Sequence, residues 1–137
     1  MTSTPPPPLD VAAIALVRER RVLMVTARGR DVHYMPGGKV DAGETPAEAA
    51  AREAFEEVRL ALEPSDLTEL FVVETLAHGQ AEGRMVRMTV FGTDTSEQPH
   101  PSSEVSALHW CDTRDADRCP PAGREVLRLL AAAGAIG

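Results

Sequence analysis

At 137 residues, 43% of them hydrophobic and 26% charged, the chain has the length and balance of an ordinary globular domain able to bury a proper core. Its net charge of −7, with no basic cluster to offset it, excludes a surface built to bind a nucleic-acid polymer. No stretch reaches the roughly 18 apolar residues of a membrane span, which excludes a helical membrane protein.

The opening residues, MTSTPPPPLD, lack the basic region and apolar run of a signal peptide. Consecutive prolines keep such a segment extended, so residues 1–9 are expected to form a flexible tail ahead of a single domain over 10–137. Val11 to Val17 is an apolar run of strand length, and Val22 to Thr26 is a second. The charged turn RERR at 18–21 joins them into a hairpin. After the loop ARGRD comes a short extended piece, His33 to Met35, and Pro36-Gly37-Gly38 is expected to break any regular element.

A helix is expected from Thr45 onward. Thr45 serves as N-cap, Pro46 fills the first helical position, and Glu48 completes a capping box. Ala47, Ala50, Ala51, Ala54, Phe55 and Val58 supply helix propensity and a packing side. Downstream, Leu67 to Leu76 and Arg84 to Thr93 are strand-like runs around a turn at HGQAEG. Val105 to Cys111 is a further strand, and Gly123 to Ala133 a second helix. Sheet elements with helices on either side predict an α/β sandwich. Cys111 and Cys119 sit among no other thiols and at no metal-type spacing, so they are expected to be reduced in a cytoplasmic protein.

The chemistry concentrates between Gly38 and Leu60, GKVDAGETPAEAAAREAFEEVRL. On a helix, Glu53, Glu56 and Glu57 share one face, with only Arg52 beside them to balance their charge. Carboxylates crowded in this way repel unless a cation lies between them. Oxygen-only donors suit a hard divalent cation such as magnesium together with substrate phosphates.

This segment resembles the Nudix box, G-x5-E-x7-R-E-U-x-E-E-x-G-U, with U aliphatic. Gly38 fills the first glycine, Glu44 the first glutamate, Arg52-Glu53 the R-E pair, Glu56-Glu57 the E-E pair and Leu60 the last aliphatic position. Ala54 is a small version of the first aliphatic residue. Arg59 stands where the final glycine belongs, so either a left-handed residue is kept there at a cost of roughly 1 kcal/mol or the helix ends about a residue later.

The chain is accordingly identified as resembling the Nudix hydrolase family, in its MutT-like branch. The resemblance implies a mixed sheet between helices and hydrolysis of a diphosphate linkage in a nucleoside diphosphate-X compound. It assigns magnesium, with manganese as a substitute, to Glu53, Glu56 and Glu57, helped by the Gly38 carbonyl. It gives Arg52 and Glu44 supporting roles behind the metal. Gly37 allows the turn and is a candidate substrate contact, and Lys39 is a candidate phosphate contact. Family members use either a box glutamate or a downstream one as general base, so Glu104 is a candidate beside Glu53 and Glu57, and a candidate metal ligand. Many relatives are dimers, so a homodimer is one expectation.

YMPGGK and CPPAGREVLRLL both look like the branch that cleaves nucleoside triphosphates to monophosphate and pyrophosphate. In that branch an asparagine helps to read oxidised guanine, and Gly123 occupies the matching place here. Tyr34 is the most plausible residue to stack on a base, its alternative being a core or strand position. A nucleotide-sugar or ADP-ribose type substrate is the second reading, and a non-catalytic nucleotide-binding protein the third.

Overall fold

Val11 to Val17 reads as apolar at every position because both faces of the strand that holds it are covered. In the computed structural model, which describes residues 7–76 and 84–137, this strand is β1 (Leu9–Arg18). It takes in Leu9, the last residue of the expected tail; residues 1–6 of that segment lie outside the described residues. β2 (Arg21–Ala27) returns through a two-residue turn, with Val17 opposite Val22 and Arg18 opposite Arg21. Both turn residues are left-handed, Glu19 at φ 51° and Arg20 at φ 63°. That conformation matches the twist of a hairpin. The Arg20 guanidinium holds its side by donating to the carbonyls of Gly134 (3.0 Å) and Ile136 (3.1 Å).

The remaining strands are β3 (Gly37–Lys39), β4 (Thr68–Leu76), β5 (Met85–Thr93) and β6 (Val105–Cys111). Among the described residues they form one six-stranded sheet in the order β4-β5-β1-β2-β6, with β3 pairing β1 off that path. β1 and β5 run parallel and the other pairs antiparallel, so the sheet is mixed. The expected turn at residues 78–83 lies outside the described residues.

One expectation around residues 33–39 is corrected. The short piece His33 to Met35 bridges Val25 through Tyr34, with hydrogen bonds of 2.8 and 2.9 Å. Gly37 and Gly38, expected to interrupt regular structure, instead open β3 and pair with Ala13 and Ala12 of β1. The missing side chain is the reason: a Cβ on Gly37 would lie 2.3 Å from the Ala12 carbonyl oxygen. Glycine here admits a close backbone approach rather than a break.

Helix α1 (Pro46–Val58) carries the expected capping box. Glu48 N–H donates to Thr45 Oγ1 at 3.1 Å, and Thr45 N–H to Glu48 Oε1 at 2.9 Å. At its other end Arg59 keeps the left-handed conformation, at φ 60°, and its guanidinium lies 5.1 Å from the centre of the Phe55 ring. Leu60 is thereby delivered fully into the core.

Helix α2 (Pro121–Ala132) begins two residues earlier than expected, because Pro121 is suited to the first helical position, where no N–H is needed. Two short 3-10 turns, Pro64–Asp66 and Thr113–Arg118, were not anticipated; Asp112 caps the second in a box with Asp115.

Side-chain alternation sorts the core into two layers. Ala12, Ile14, Leu16, Leu23 and Val25 pack with Ala50, Ala54 and Val58 of α1. Ala13, Ala15, Val22, Met24, Val73 and Val90 pack with Val126, Leu127 and Leu130 of α2. The result is the expected α/β sandwich. Among the described residues, no helix is long and apolar enough to cross a membrane.

Candidate active site

Three local features bring the acidic face of α1 against the backbone of β3. The capping box fixes where the helix starts, the alanines at 49–51 and 54 seat it on the sheet, and the glycines let β3 lie beneath it. Gly37 N–H donates to Glu57 Oε1 at 3.1 Å. A Cβ on Gly38 would stand 2.6 Å from Glu53 Oε1, so the Glu53 carboxylate occupies space that any other residue would fill.

Arg52 organises this face. Its Nε and Nη2 form a fork on the two oxygens of Glu44, at 2.8 and 3.0 Å. Nη1 reaches Glu53 Oε1 at 2.8 Å, and Nη2 also donates to the Lys39 carbonyl at 3.0 Å. Glu56, the i+4 partner suggested by helical spacing, is the weak member of the set at 3.5 Å. It is half-exposed, whereas Glu44 and Glu53 are largely covered, so the planar guanidinium turns toward the inner pair. Glu44 accepts in addition from Asp41 N–H at 2.9 Å. These bonds, Arg52 first, hold its carboxyl down to about 2.

Glu57 behaves in the opposite way. Burial, followed by the charges of Glu53 and Glu56, pushes its carboxyl up to about 8, although the Gly37 N–H works against that rise. Among the described residues, no three acidic, histidine or cysteine side chains already stand together as a ligand set. Arg52 draws Glu53 toward itself, and a proton on Glu57 relieves the crowding. The donors nevertheless fit a hard divalent cation: three carboxylates on one helical face, beside a glycine whose missing side chain leaves its backbone open to them.

Glu104 reaches the same region from another direction. Residues 100–104 are docked on the C-terminal end of α1, where His100 N–H donates to the Val58 carbonyl (2.9 Å) and Ser102 N–H to that of Glu57 (3.0 Å). The left-handed Ser103 (φ 57°) then turns the chain into β6, and the Glu104 carbonyl accepts from Arg28 N–H at 2.9 Å. These loop N–H groups satisfy carbonyls that a helix end leaves open. No sequence signal announces the docking.

A cavity of about 300 Å3 adjoins these groups. Tyr34, Gly37, Gly38, Glu57 and Glu104 stand on its wall together. Glu53 reaches the edge of this region through Gly38, while Glu44, Arg52, Glu56 and Lys39 lie off the wall. Tyr34 is half-buried, packs against the α1 side of the core and also lines the cavity, so the core position expected as its alternative is met. The rest of the wall is apolar and includes Val11, Met35, Val86, Met88 and Ala122. Sequence reasoning assigned Val11, Val86 and Met88 only to strands, Met35 to a short extended piece and Ala122 to the segment before the second helix, because alternation marks burial and not the cavity that burial borders. Gly123 is on the wall as well, and a Cβ there would lie 3.1 Å from Cys119 Cβ.

Comparison with known proteins identifies the family and the fold. Residues 6–130 match the family model described as NUDIX domain. "Putative nudix hydrolase 1" of Caenorhabditis elegans is 29% identical over 123 residues, covering 88% of this chain and 31% of that protein. The 8-oxo-dGTP diphosphatase of Escherichia coli is 38% identical over 55 residues, covering 36% of this chain and 43% of its own length. The chain thus spans less than half the length of either curated relative. Among solved structures, a MutT NUDIX hydrolase from Burkholderia pseudomallei superposes with a TM-score of 0.70 at 28% identity, covering 90% of this chain and 98% of that one. A bifunctional NMN adenylyltransferase/ADP ribose pyrophosphatase from Francisella tularensis, complexed with AMP and a manganese ion, superposes with a TM-score of 0.69 at 19% identity over 93% of this chain and 42% of that one. With the matched region spanning nearly the whole sequence, the chain belongs to the NUDIX domain family.

Proposed function

We propose that this chain is a magnesium-dependent pyrophosphohydrolase that cleaves a nucleoside triphosphate to the monophosphate and pyrophosphate. The observation that carries the reading is the wall shared by Glu57, Glu104, Gly37 and Gly38 beside an otherwise apolar cavity. Charge for the phosphate end and enclosure for the organic end meet there.

Glu53, Glu56 and Glu57, with the Gly38 carbonyl, are the residues that would hold the cation. A bound divalent ion, for which manganese could substitute, screens phosphate charge and acidifies a coordinated water. Arg52 and Glu44 hold Glu53 in place, and we assign Lys39, at the exposed end of β3, to a phosphate contact. In the reaction an O–P bond forms to the water oxygen as the bridging P–O bond breaks. The leaving phosphate takes the electron pair, and the water proton passes to a carboxylate. We assign that role to Glu104, which stands on the wall outside the Arg52 network, with Glu53 and Glu57 as the rival bases.

The buried free thiols of Cys111 and Cys119 suit a reducing, cytoplasmic setting. An ADP-ribose or nucleotide-sugar substrate is the second reading, supported by the likeness to the bifunctional enzyme named above.

The test is turnover of a nucleotide panel with magnesium, comparing the protein with Glu56→Gln. Glu56 has little part in the Arg52 network, so its replacement should spare the fold. Pyrophosphate release that falls by about a hundredfold or more in the variant is expected. Binding without turnover of any anhydride would instead make the chain a nucleotide-binding protein.

A further inference from the structure

The charged turn RERR, which joins β1 to β2, takes no part in the site described above. Arg18 lies roughly 20 Å along β1 from Ala12, the partner of Gly38, at about 3.3 Å per residue. This tip of the hairpin runs against local preference. Its two turn residues are left-handed without being glycine or asparagine, Glu19 at φ 51° and Arg20 at φ 63°. Arg18 and Arg21 stand directly opposite each other across the strands, and like charges so placed are destabilising.

Arg20 is accounted for by the Gly134 and Ile136 carbonyls that it binds. The Arg18–Arg21 pair has no such compensation. Among the described residues, neither guanidinium forms an ion pair with a carboxylate. Glu19 borders the same space without pairing with either. Asp112 feels the Arg21 charge, but its two oxygens are held by Arg114 at 3.1 and 2.7 Å.

The two arginines border a cleft of about 420 Å3 whose other walls are Glu19, Gln98 and Trp110. Arg18 is already fixed in place there. Its Nη2 donates to the carbonyls of Thr95 (2.8 Å) and Glu97 (2.6 Å), and its guanidinium lies 5.8 Å from the centre of the Trp110 ring. Its Nε and Nη1, and the whole Arg21 guanidinium, have no hydrogen-bond partner among the described residues. A guanidinium fork matches the oxygens of a phosphate, and the Gln98 amide supplies another donor. An anion between the arginines turns their repulsion into attraction.

We propose that this cleft is a second ligand site, separate from the cavity beside α1, and that it takes the phosphate group of a small molecule between Arg18 and Arg21. The site is independent of the hydrolase reading and holds whether or not the chain turns over a nucleotide. Glu19 limits its affinity, because that charge faces the same anion.

Trp110 is the single tryptophan of the chain and lines the cleft, so its fluorescence reports occupancy. Inorganic phosphate, pyrophosphate and ribose 5-phosphate are titrated at fixed ionic strength with a chelator present, since without a divalent cation the carboxylates of the α1 face repel anions. A saturable change in fluorescence, matched by heat in calorimetry, is expected in the millimolar range or below. Arg21→Gln should weaken binding by about tenfold or more, and Glu19→Gln should tighten it, with melting temperatures as the check that both variants fold. Tighter binding of ribose 5-phosphate supports the site with a phosphate ester as its ligand, and tighter binding of phosphate or pyrophosphate supports it with an inorganic ion. No saturable signal by either method, an equal response to acetate, or unchanged binding in Arg21→Gln overturns the proposal.

Discussion

Arg52 shows how one side chain converts a repulsive arrangement into a usable one. Its planar fork joins Glu44 in the loop before α1, Glu53 on the helix and the Lys39 carbonyl at the end of β3, so three segments share one guanidinium. Lysine carries the same charge but is a point donor without the fork and cannot hold this geometry. Arg52→Lys is therefore expected to weaken divalent-metal affinity and kcat/KM by about ten- to a hundredfold, the usual cost of losing a residue that orients ligands. The ion pairs are partly solvent-exposed, so the melting temperature should move far less than the affinity does. Unchanged metal affinity by calorimetry would show that Arg52 is only a surface charge.

At the scale of elements, the decisive contact is between a three-residue strand and one face of a helix. The two glycines of β3 are there for different reasons, and alanine substitutions separate them. In Gly37→Ala the new Cβ meets β1 backbone, at 2.3 Å from the Ala12 oxygen and 2.7 Å from the Ala13 Cα, which cannot move without disturbing the central strand. A loss of roughly 1–3 kcal/mol or more in stability is expected by urea unfolding. In Gly38→Ala the Cβ meets the end of the Glu53 side chain, which can swing aside. The protein should fold with nearly native stability but bind magnesium poorly. Equal stability losses in the two variants would contradict this division.

The same region marks where sequence reading succeeds and where it stops. Thr45, Pro46 and Glu48 announce the start of α1 because capping is local chemistry, and the spacing of Glu53, Glu56 and Glu57 follows from helical periodicity. Gly37-Gly38 was misread as a break because a glycine pair looks alike whether it ends an element or admits another backbone; only the partner strand decides. The apolar wall was missed for a related reason. Val86 and Met88 alternate as any half-buried strand does, and nothing local says that a cavity lies beside them.

Across the whole molecule, stability and metal binding should be linked through protons. In the folded chain Glu57 holds its proton up to a pH of about 8, against an ordinary value near 4.5. Between those values the folded state carries a proton that the unfolded chain has released, so stability declines as pH rises through this window and levels off above it. His33 acts on the acid side. It is buried and stacked on His109 with ring centres 4.1 Å apart, and burial followed by the charges of His109 and Arg118 lowers its pKa. Its contribution is present above 6.5 and is lost as pH falls below that value. Asp112, held near 2 chiefly by Arg114, contributes throughout the neutral range and fails only in stronger acid. From pH 6.5 to 8 the decline thus belongs to Glu57, and it should appear as a falling melting temperature in the presence of a chelator. A divalent cation takes the place of that proton among the carboxylates, so its stabilising effect should grow with pH, and calorimetry in buffers of differing ionisation heat should show proton release on binding. Glu57→Gln should flatten the pH dependence of the chelated protein while removing most of the metal effect. A melting temperature that rises from pH 6.5 to 8 with chelator present would mean that Glu57 is ionised in the fold and that the acidic face is already balanced without a metal.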